Sequence, residues 1–138
     1  MRQIFVDTSA WAAIEDSRDI HHEVALLFKE EIAGSCELVT TDYVLDEIYT
    51  LLLLNVGYER TVAFRHTIEQ MASGGVLHIA EVSRIIREEA WRIFEQFNLD
   101  KQWSITDCTS YVVMKHLEIA AAFAFDHHFE QMGFVRKP

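Results

Sequence analysis

Proline occurs once in these 138 residues, as Pro138, so no proline-rich linker divides the chain. Glycine is nearly as scarce. Gly34, Gly57, Gly74, Gly75 and Gly133 all fall between periodic segments, where helices end and turns form. Two cysteines, Cys36 and Cys108, are too few for a disulfide framework and lack metal-ligand spacing, so reduced structural thiols are expected. No apolar run approaches the roughly 20 residues of a membrane span. No basic leader precedes Ile4-Phe5-Val6, so no export signal is read, and a bacterial or archaeal cytoplasm is the expected location. Basic residues are outnumbered: 12 Lys and Arg stand against 22 Asp and Glu, a formal charge of -10. That balance argues against non-specific nucleic-acid binding, which relies on cations neutralising phosphates. It leaves room for a nucleic-acid enzyme, because clustered carboxylates with a bound metal invert the local field. It also suits docking of a basic partner.

What the chain does contain is a globular composition, 50% hydrophobic and 12% aromatic. Its length fits one domain spanning residues 1–138, with neither repeats nor low-complexity tracts. Periodicity predicts strands at residues 3–7, 37–39, 76–79, 120–125 and 134–135. It predicts helices from Ser9 to about Glu15, from Ile20 to Ile32, from Asp42 to Asn55 and from Tyr58 to about Ala72. Further helices are expected from Val82 to Phe97, from Ser104 to His116 and over residues 127–132. Strands alternating with helices imply an α/β fold, a three-layer α/β/α sandwich around a mostly parallel sheet.

Two apolar segments each end on an aspartate. Ile4-Phe5-Val6 runs into Asp7, and Ala120 to Phe125 runs into Asp126. Ligands bind at the carboxyl ends of strands in open parallel sheets, so two acids delivered there suggest a cation site acting on an anionic substrate. The helix from Asp42 adds Asp42, Asp46 and Glu47. At about 100° per residue, Glu47 falls within the arc of Tyr43, Val44, Ile48, Leu51 and Leu54, whereas Asp42 and Asp46 fall off it. An acid on an apolar face costs free energy unless hydrogen-bonded, protonated or metal-bound, which makes Glu47 a candidate ligand. Asp107 follows Ser104 by three residues, the spacing of a capping box. Tyr111 and Met114 continue its face, so the same carboxylate can cap and still border a site. A purely structural role, helix capping, also suits Asp7 and Asp126.

Three other patterns carry less. Adjacent histidines at His21-His22 and His127-His128 point about 100° apart on a helix and are read as surface residues; His127 or His128, beside Asp126, is placed to touch substrate. Arg84, Arg87 and Arg92 share a helix with Glu81, Glu88, Glu89 and Glu95, an ordinary charged face. Tyr49, Leu52 and Leu53 leave the helix from Asp42 apolar nearly all round, which suits a dimer seam, a groove for a partner helix, or packing on the next helix. An aspartyl phosphotransferase is disfavoured because Ser9 occupies the position of its second aspartate. A receiver-like phosphoacceptor is disfavoured because Asp7 has no acidic neighbour.

In four places the chain resembles a PIN-domain ribonuclease, and most resembles the toxins of VapBC toxin–antitoxin pairs. They are Phe5-Val6-Asp7-Thr8-Ser9-Ala10-Trp11, the segment from Thr41 to Leu51, Ser104-Ile105-Thr106-Asp107-Cys108, and Ala124-Phe125-Asp126-His127-His128-Phe129. The family often carries a hydroxyl residue two positions before the fourth acid, where Ala124 stands here. The resemblance implies an endoribonuclease using Mg2+ (or Mn2+) held by Asp7, Glu47, Asp107 and Asp126. Thr8 and Ser104 would contact substrate phosphate or support the acids; Arg18, in the loop after the first short helix and near the expected mouth of the site, and Lys101, just before the Asp107 motif, are candidate RNA contacts beside the plainer reading of solvated surface charges. It also implies an RNA substrate, an antitoxin protein and a homodimer. The alternative is a PIN-fold module that binds RNA or protein without cutting it.

Overall fold

The computed structural model describes residues 1–138. Its five strands are β1 (Arg2–Val6), β2 (Cys36–Thr41), β3 (Leu77–Ala80), β4 (Ala121–Phe123) and β5 (Val135–Lys137). They form one sheet in the order β3-β2-β1-β4-β5, and every pairing is parallel. The helices are α1 (Thr8–Glu15), α2 (His22–Ile32), α3 (Asp42–Asn55), α4 (Tyr58–Ser73), α5 (Arg84–Phe97), α6 (Ile105–His116) and α7 (His128–Gln131). This is the α/β/α sandwich that the alternation of periodicities predicts.

Register fixes which side chains share a face. Phe5 pairs with Val39 and Ala122, and Val6 pairs with Phe123. Successive residues of a strand point to opposite faces. Val6, Thr40 and Phe123 therefore line one face, where Phe28 of α2 meets Phe123 edge-on at 4.8 Å and the Trp11 indole of α1 donates to the Thr40 hydroxyl at 3.4 Å. Phe5 lies on the other face with Phe129 of α7, their ring centroids 6.2 Å apart. The central strand β1 and its neighbour β4 are buried on both faces, which is why Ile4-Phe5-Val6 and Ala122-Phe123 read as continuous apolar runs.

The chain crosses from one side of the sheet to the other between β1 and β4. In such sheets that switch point opens a crevice beyond the strand ends. Two local devices deliver side chains to it. Asp7 caps α1 immediately after β1, and Ser104 with Asp107 forms a reciprocal capping box at the start of α6.

Several boundaries differ from the periodicity. The expected strand over residues 120–125 is only Ala121–Phe123, because the Phe125 amide bonds the Ser9 hydroxyl at 3.0 Å instead of continuing the ladder. Asp126 thus stands three residues beyond its strand. α2 begins at His22, leaving Ile20 exposed, and α5 begins at Arg84 because Ser83 caps it. On α3, Leu52 is buried and Tyr49 packs on Phe64 of α4 at 5.8 Å, so α4 covers that face, while Leu53 and Leu54 remain exposed.

Candidate active site

Three aspartates from distant parts of the chain converge at the crevice. Asp7 is 3% exposed and Asp107 is 8% exposed. Asp107, Asp126 and His128 each offer a donor atom within 4.8 Å of the others. Asp7 feels the negative charge of both Asp107 and Asp126.

The hydrogen bonds divide each carboxylate into a held oxygen and a free one. Asp7 Oδ2 accepts from the Ser9 amide at 3.2 Å and the Ser9 hydroxyl at 2.7 Å. Asp107 Oδ2 accepts from the Ser104 amide at 3.0 Å and from His128 Nδ1 at 2.9 Å. Asp126 Oδ1 accepts from the His128 amide at 2.9 Å, with the His128 ring nitrogen 3.4 Å away. No protein donor reaches Asp7 Oδ1, Asp107 Oδ1 or Asp126 Oδ2. Three oriented, unspent carboxylate oxygens are a hard-donor set, which fits Mg2+ or Mn2+. The neighbouring Thr8 hydroxyl is buried with no hydrogen-bond partner, a further oxygen left unsatisfied beside Asp7.

The electrostatics match. Burial, then the charge of Asp107, pushes Asp7 from the usual 3.8 up to about 7, against the opposing hydrogen bonds from Ser9. Burial also raises Asp107, and Asp126 adds to the effect, while Ser104 and His128 oppose it. Such crowding favours protonation or a bound cation. The adjacent Cys108 thiol is pushed up to about 12 by burial and by Asp107, so it is inert.

The predicted residues do not all arrive there. Glu47 is exposed and, like the buried Asp7, is not one of the three residues whose donor atoms lie within 4.8 Å of one another. The buried stripe of α3 is Val44, Leu45, Ile48 and Leu52. Tyr43, Glu47 and Leu51 lie one step around the helix and border an open depression with Thr106. The placement of Glu47 on the apolar face is therefore corrected: a helix apolar nearly all round does not reveal which arc is buried. Arg18 is also displaced from the expected mouth. Its guanidinium bonds Asp16 and the Asn55 carbonyl at the last turn of α3. Asp7 caps the opposite end of the eight-residue α1, a separation of about 12 Å along the helix alone. Ser104 is a cap and its residue is exposed. Lys101 borders an open polar depression with Gln102, His127 and His128.

Two residues were undervalued by sequence reasoning. His128 is half-buried among the acids rather than on the surface. Ser9 ties Asp7 to the Phe125 amide, and so ties β1 to the loop carrying Asp126. A signal existed for both. Each follows an aspartate by two residues, the spacing at which a side-chain oxygen accepts the second following amide.

A switch-point crevice holding these acids is the arrangement of a PIN domain. The PIN domain family model matches residues 4–135, and the chain belongs to this family. Among relatives, it is 34% identical over 133 residues to the 23S rRNA-specific endonuclease VapC20 of Mycobacterium tuberculosis, covering 96% of this chain and 95% of that one. It is 28% identical over 116 residues to a VapC ribonuclease of Archaeoglobus fulgidus, covering 83% and 71% of the two chains. The crystal structure of Mycobacterium tuberculosis VapC20, a sarcin-ricin-loop-cleaving toxin, superposes with a TM-score of 0.81 at 32% identity over 96% of each chain. VapBC2 of Rickettsia felis, bound to a DNA fragment from its promoter, shares the fold at 12% identity, with a TM-score of 0.68 over 98% of this chain and 97% of that one.

Proposed function

We propose that this protein is a divalent-metal-dependent endoribonuclease acting as the toxin of a toxin–antitoxin pair. The observation that carries this reading is the convergence of Asp7, Asp107 and Asp126 at the switch point, each with one oxygen held and one free. The 34% identical relative is named for 23S rRNA, so ribosomal RNA is the substrate to test first. We read residues 1–138 as one nuclease domain.

Asp7, Asp107 and Asp126 would hold Mg2+ or Mn2+, with Glu47 contributing from the rim. When bound, the ion supplies an activated water and neutralises charge on the phosphodiester. The chain's own residues prepare the site. Ser9 and His128 hold the outer oxygens of Asp7 and Asp126, and the Ser104 amide holds that of Asp107. Lys101 offers a cation beside the depression at His127, and Thr8 and Ser104 offer hydroxyls at the helix starts. Arg18 lies at the far end of α3, bonded to Asp16 and the Asn55 carbonyl, so any contact it makes with RNA is away from the acids.

The remaining parts of the reading follow from charge and surface. A chain of net charge -10 suits a basic antitoxin segment. Val24 and Leu27 of α2 and Leu53 and Leu54 of α3 are exposed apolar residues available to an antitoxin or to a second copy in a homodimer. No helix is long and apolar enough to cross a membrane, and we infer a cytoplasmic protein acting where its RNA is.

One observation favours the second reading, a module that binds RNA or protein without cutting: neither Asp7 nor Glu47 belongs to the group of mutually close donor atoms. A single experiment separates the two. Purified protein is incubated with 23S rRNA in Mn2+ or Mg2+, and then in chelator, alongside Asp7→Asn and Asp107→Asn. Cleavage that needs metal and is lost in both variants supports the nuclease. RNA binding without cleavage supports the module. Cleavage that survives both substitutions refutes the site.

A further inference from the structure

We propose that His128 is a positioning residue, the shared donor that decides which oxygen of Asp107 and which of Asp126 is left for the cation. The inference rests on the metal-nuclease reading and adds a residue to it. His128 grips both acids at once. Its ring Nδ1 lies 2.9 Å from Asp107 Oδ2 and 3.4 Å from Asp126 Oδ1, and its own amide donates to Asp126 Oδ1 at 2.9 Å. An ionised carboxylate can only accept, so Nδ1 carries the proton in this contact. The nitrogen that faces the carboxylates therefore has no lone pair for a metal, and the one remaining lone pair, on Nε2, diverges from it across the ring, so the contact seen here acts through the carboxylates.

The geometry makes the choice of oxygen specific. Asp107 Oδ2 takes both His128 and the Ser104 amide, which leaves Oδ1 unspent. Asp126 Oδ1 takes the His128 amide, which leaves Oδ2 unspent. Ser9 does the same for Asp7, through both amide and hydroxyl on Oδ2. The two motifs are alike: an aspartate, and two residues later a residue that returns both a main-chain and a side-chain donor. The ring is anchored from below because the next residue, Phe129, is fully buried against Phe5. Without the His128 ring, Asp107 keeps only the Ser104 amide and Asp126 only the amide of residue 128, and no side-chain donor remains between the two carboxylates to fix their terminal torsions jointly.

The test measures metal binding with no RNA present. Mn2+ affinity of the full chain is determined by calorimetry and electron paramagnetic resonance for the wild type, His128→Ala and His128→Asn. The asparagine amide nitrogen lies about where Nδ1 lies and can donate. His128→Ala is expected to bind Mn2+ about 10–100-fold more weakly, the usual cost of removing an outer hydrogen-bond donor from a metal site, with His128→Asn recovering to within about threefold of wild type. Wild-type Mn2+ should show no coupling to a coordinated nitrogen. Wild-type affinity in His128→Ala overturns the inference. So does affinity as weak in His128→Asn as in His128→Ala, or a nitrogen coupling that His128→Asn abolishes, since either makes the ring a ligand. Should His128→Ala lose its far-ultraviolet helical signal, His128→Leu, which keeps apolar bulk without a donor, takes its place in the same comparison. A wild type that binds no Mn2+ at all refutes the metal-nuclease reading itself, whereas tight wild-type binding with an unaffected His128→Ala refutes only the role of His128.

Discussion

Removing the charge of Asp7 should destroy activity and yet stabilise the metal-free protein. Asp7 is 3% exposed, and its carboxyl moves from the usual 3.8 up to about 7 on folding. The sign follows from linkage. Below about pH 4 Asp7 is protonated in both folded and unfolded chains, and it costs the fold nothing. Between about 4 and 7 the unfolded chain loses the proton first, so stability falls as pH rises. Above about 7 the folded state is ionised too, and the full penalty is present, about 4 kcal/mol at about 1.4 kcal/mol for each tenfold in proton concentration. Asp7→Asn is neutral throughout, and its Oδ1 can still accept from Ser9. Allowing about 1–2 kcal/mol for weaker, uncharged hydrogen bonds, the variant should be about 2–3 kcal/mol more stable at pH 8. With an unfolding entropy of about 2.1 cal/mol/K per residue, that is a rise of roughly 7–10 °C in Tm. Melting followed by circular dichroism in chelator at pH 4.5, 6 and 8 checks it. Titration of groups distant from Asp7 cancels in the difference between the two proteins, whereas Asp107 and Asp126, which interact with its charge, contribute to it. An Asp7→Asn that melts at or below the wild type at pH 8, or a difference that does not shrink toward pH 4.5, refutes the reasoning.

Three further outcomes are expected. Mn2+ binding should release about 0.9 proton at pH 6, about 0.5 at pH 7 and about 0.1 at pH 8 from Asp7 alone, read by calorimetry in buffers of different ionisation enthalpy; a heat independent of buffer at pH 6 would show Asp7 already ionised. Ser9→Ala removes a charge-assisted donor from Asp7 and leaves the Phe125 amide without its acceptor, so Tm should fall by the equivalent of about 2–4 kcal/mol and Ser9→Thr should restore most of it; a wild-type melt in Ser9→Ala contradicts the tie between β1 and the Asp126 loop. Glu47→Gln should leave Mn2+ affinity within about threefold while Asp107→Asn lowers it more than about tenfold, and equal losses would place Glu47 in the donor group after all.

The sequence is most legible where one segment carries one period. The strand into Asp7, the Asp7 cap of α1 and the capping box of α6 involve neighbours within three residues, so the spacing alone predicts them. Asp7 and Asp107 were found for that reason. α3 is the opposite case. With Tyr43, Val44, Leu45, Ile48, Tyr49, Leu51, Leu52, Leu53 and Leu54 around it, the helix has apolar residues on both flanks of the Asp42, Asp46 and Thr50 stripe, and Glu47 falls on the exposed side of the true boundary. Arg18 was misplaced for a topological reason. It follows α1 closely in sequence, but α1 runs away from the sheet edge, carrying Arg18 to the end of α3. Asp126 was read as ending a strand, yet β4 stops at Phe123 and the Ser9 hydroxyl takes over the Phe125 amide. That bond joins residues 116 apart in sequence, which no local pattern encodes. Ala124 supplies no hydroxyl to Asp126, whose Oδ1 is held instead by the His128 amide.

The placement of the acids also shows how the fold carries their cost. Loops would leave Asp7 and Asp107 mobile, whereas the first turns of helices fix them through caps, and a site needs its donors held to fractions of an ångström. Fixing them in a buried crevice is what raises Asp7, so precision and instability come from the same burial. The compensating term lies directly beneath. Phe5 is two residues before Asp7, Phe129 is one residue after His128, both are fully buried, and their rings meet at 6.2 Å. Burying each contributes about 1.5–3 kcal/mol relative to leaving it exposed. The pair therefore offsets a penalty of about 4 kcal/mol from the ionised Asp7 and does so within the same two segments. A substitution at either phenylalanine would reach the carboxylates before it reached the rest of the sheet, because the residues that anchor the segments are the neighbours of the residues that aim the oxygens.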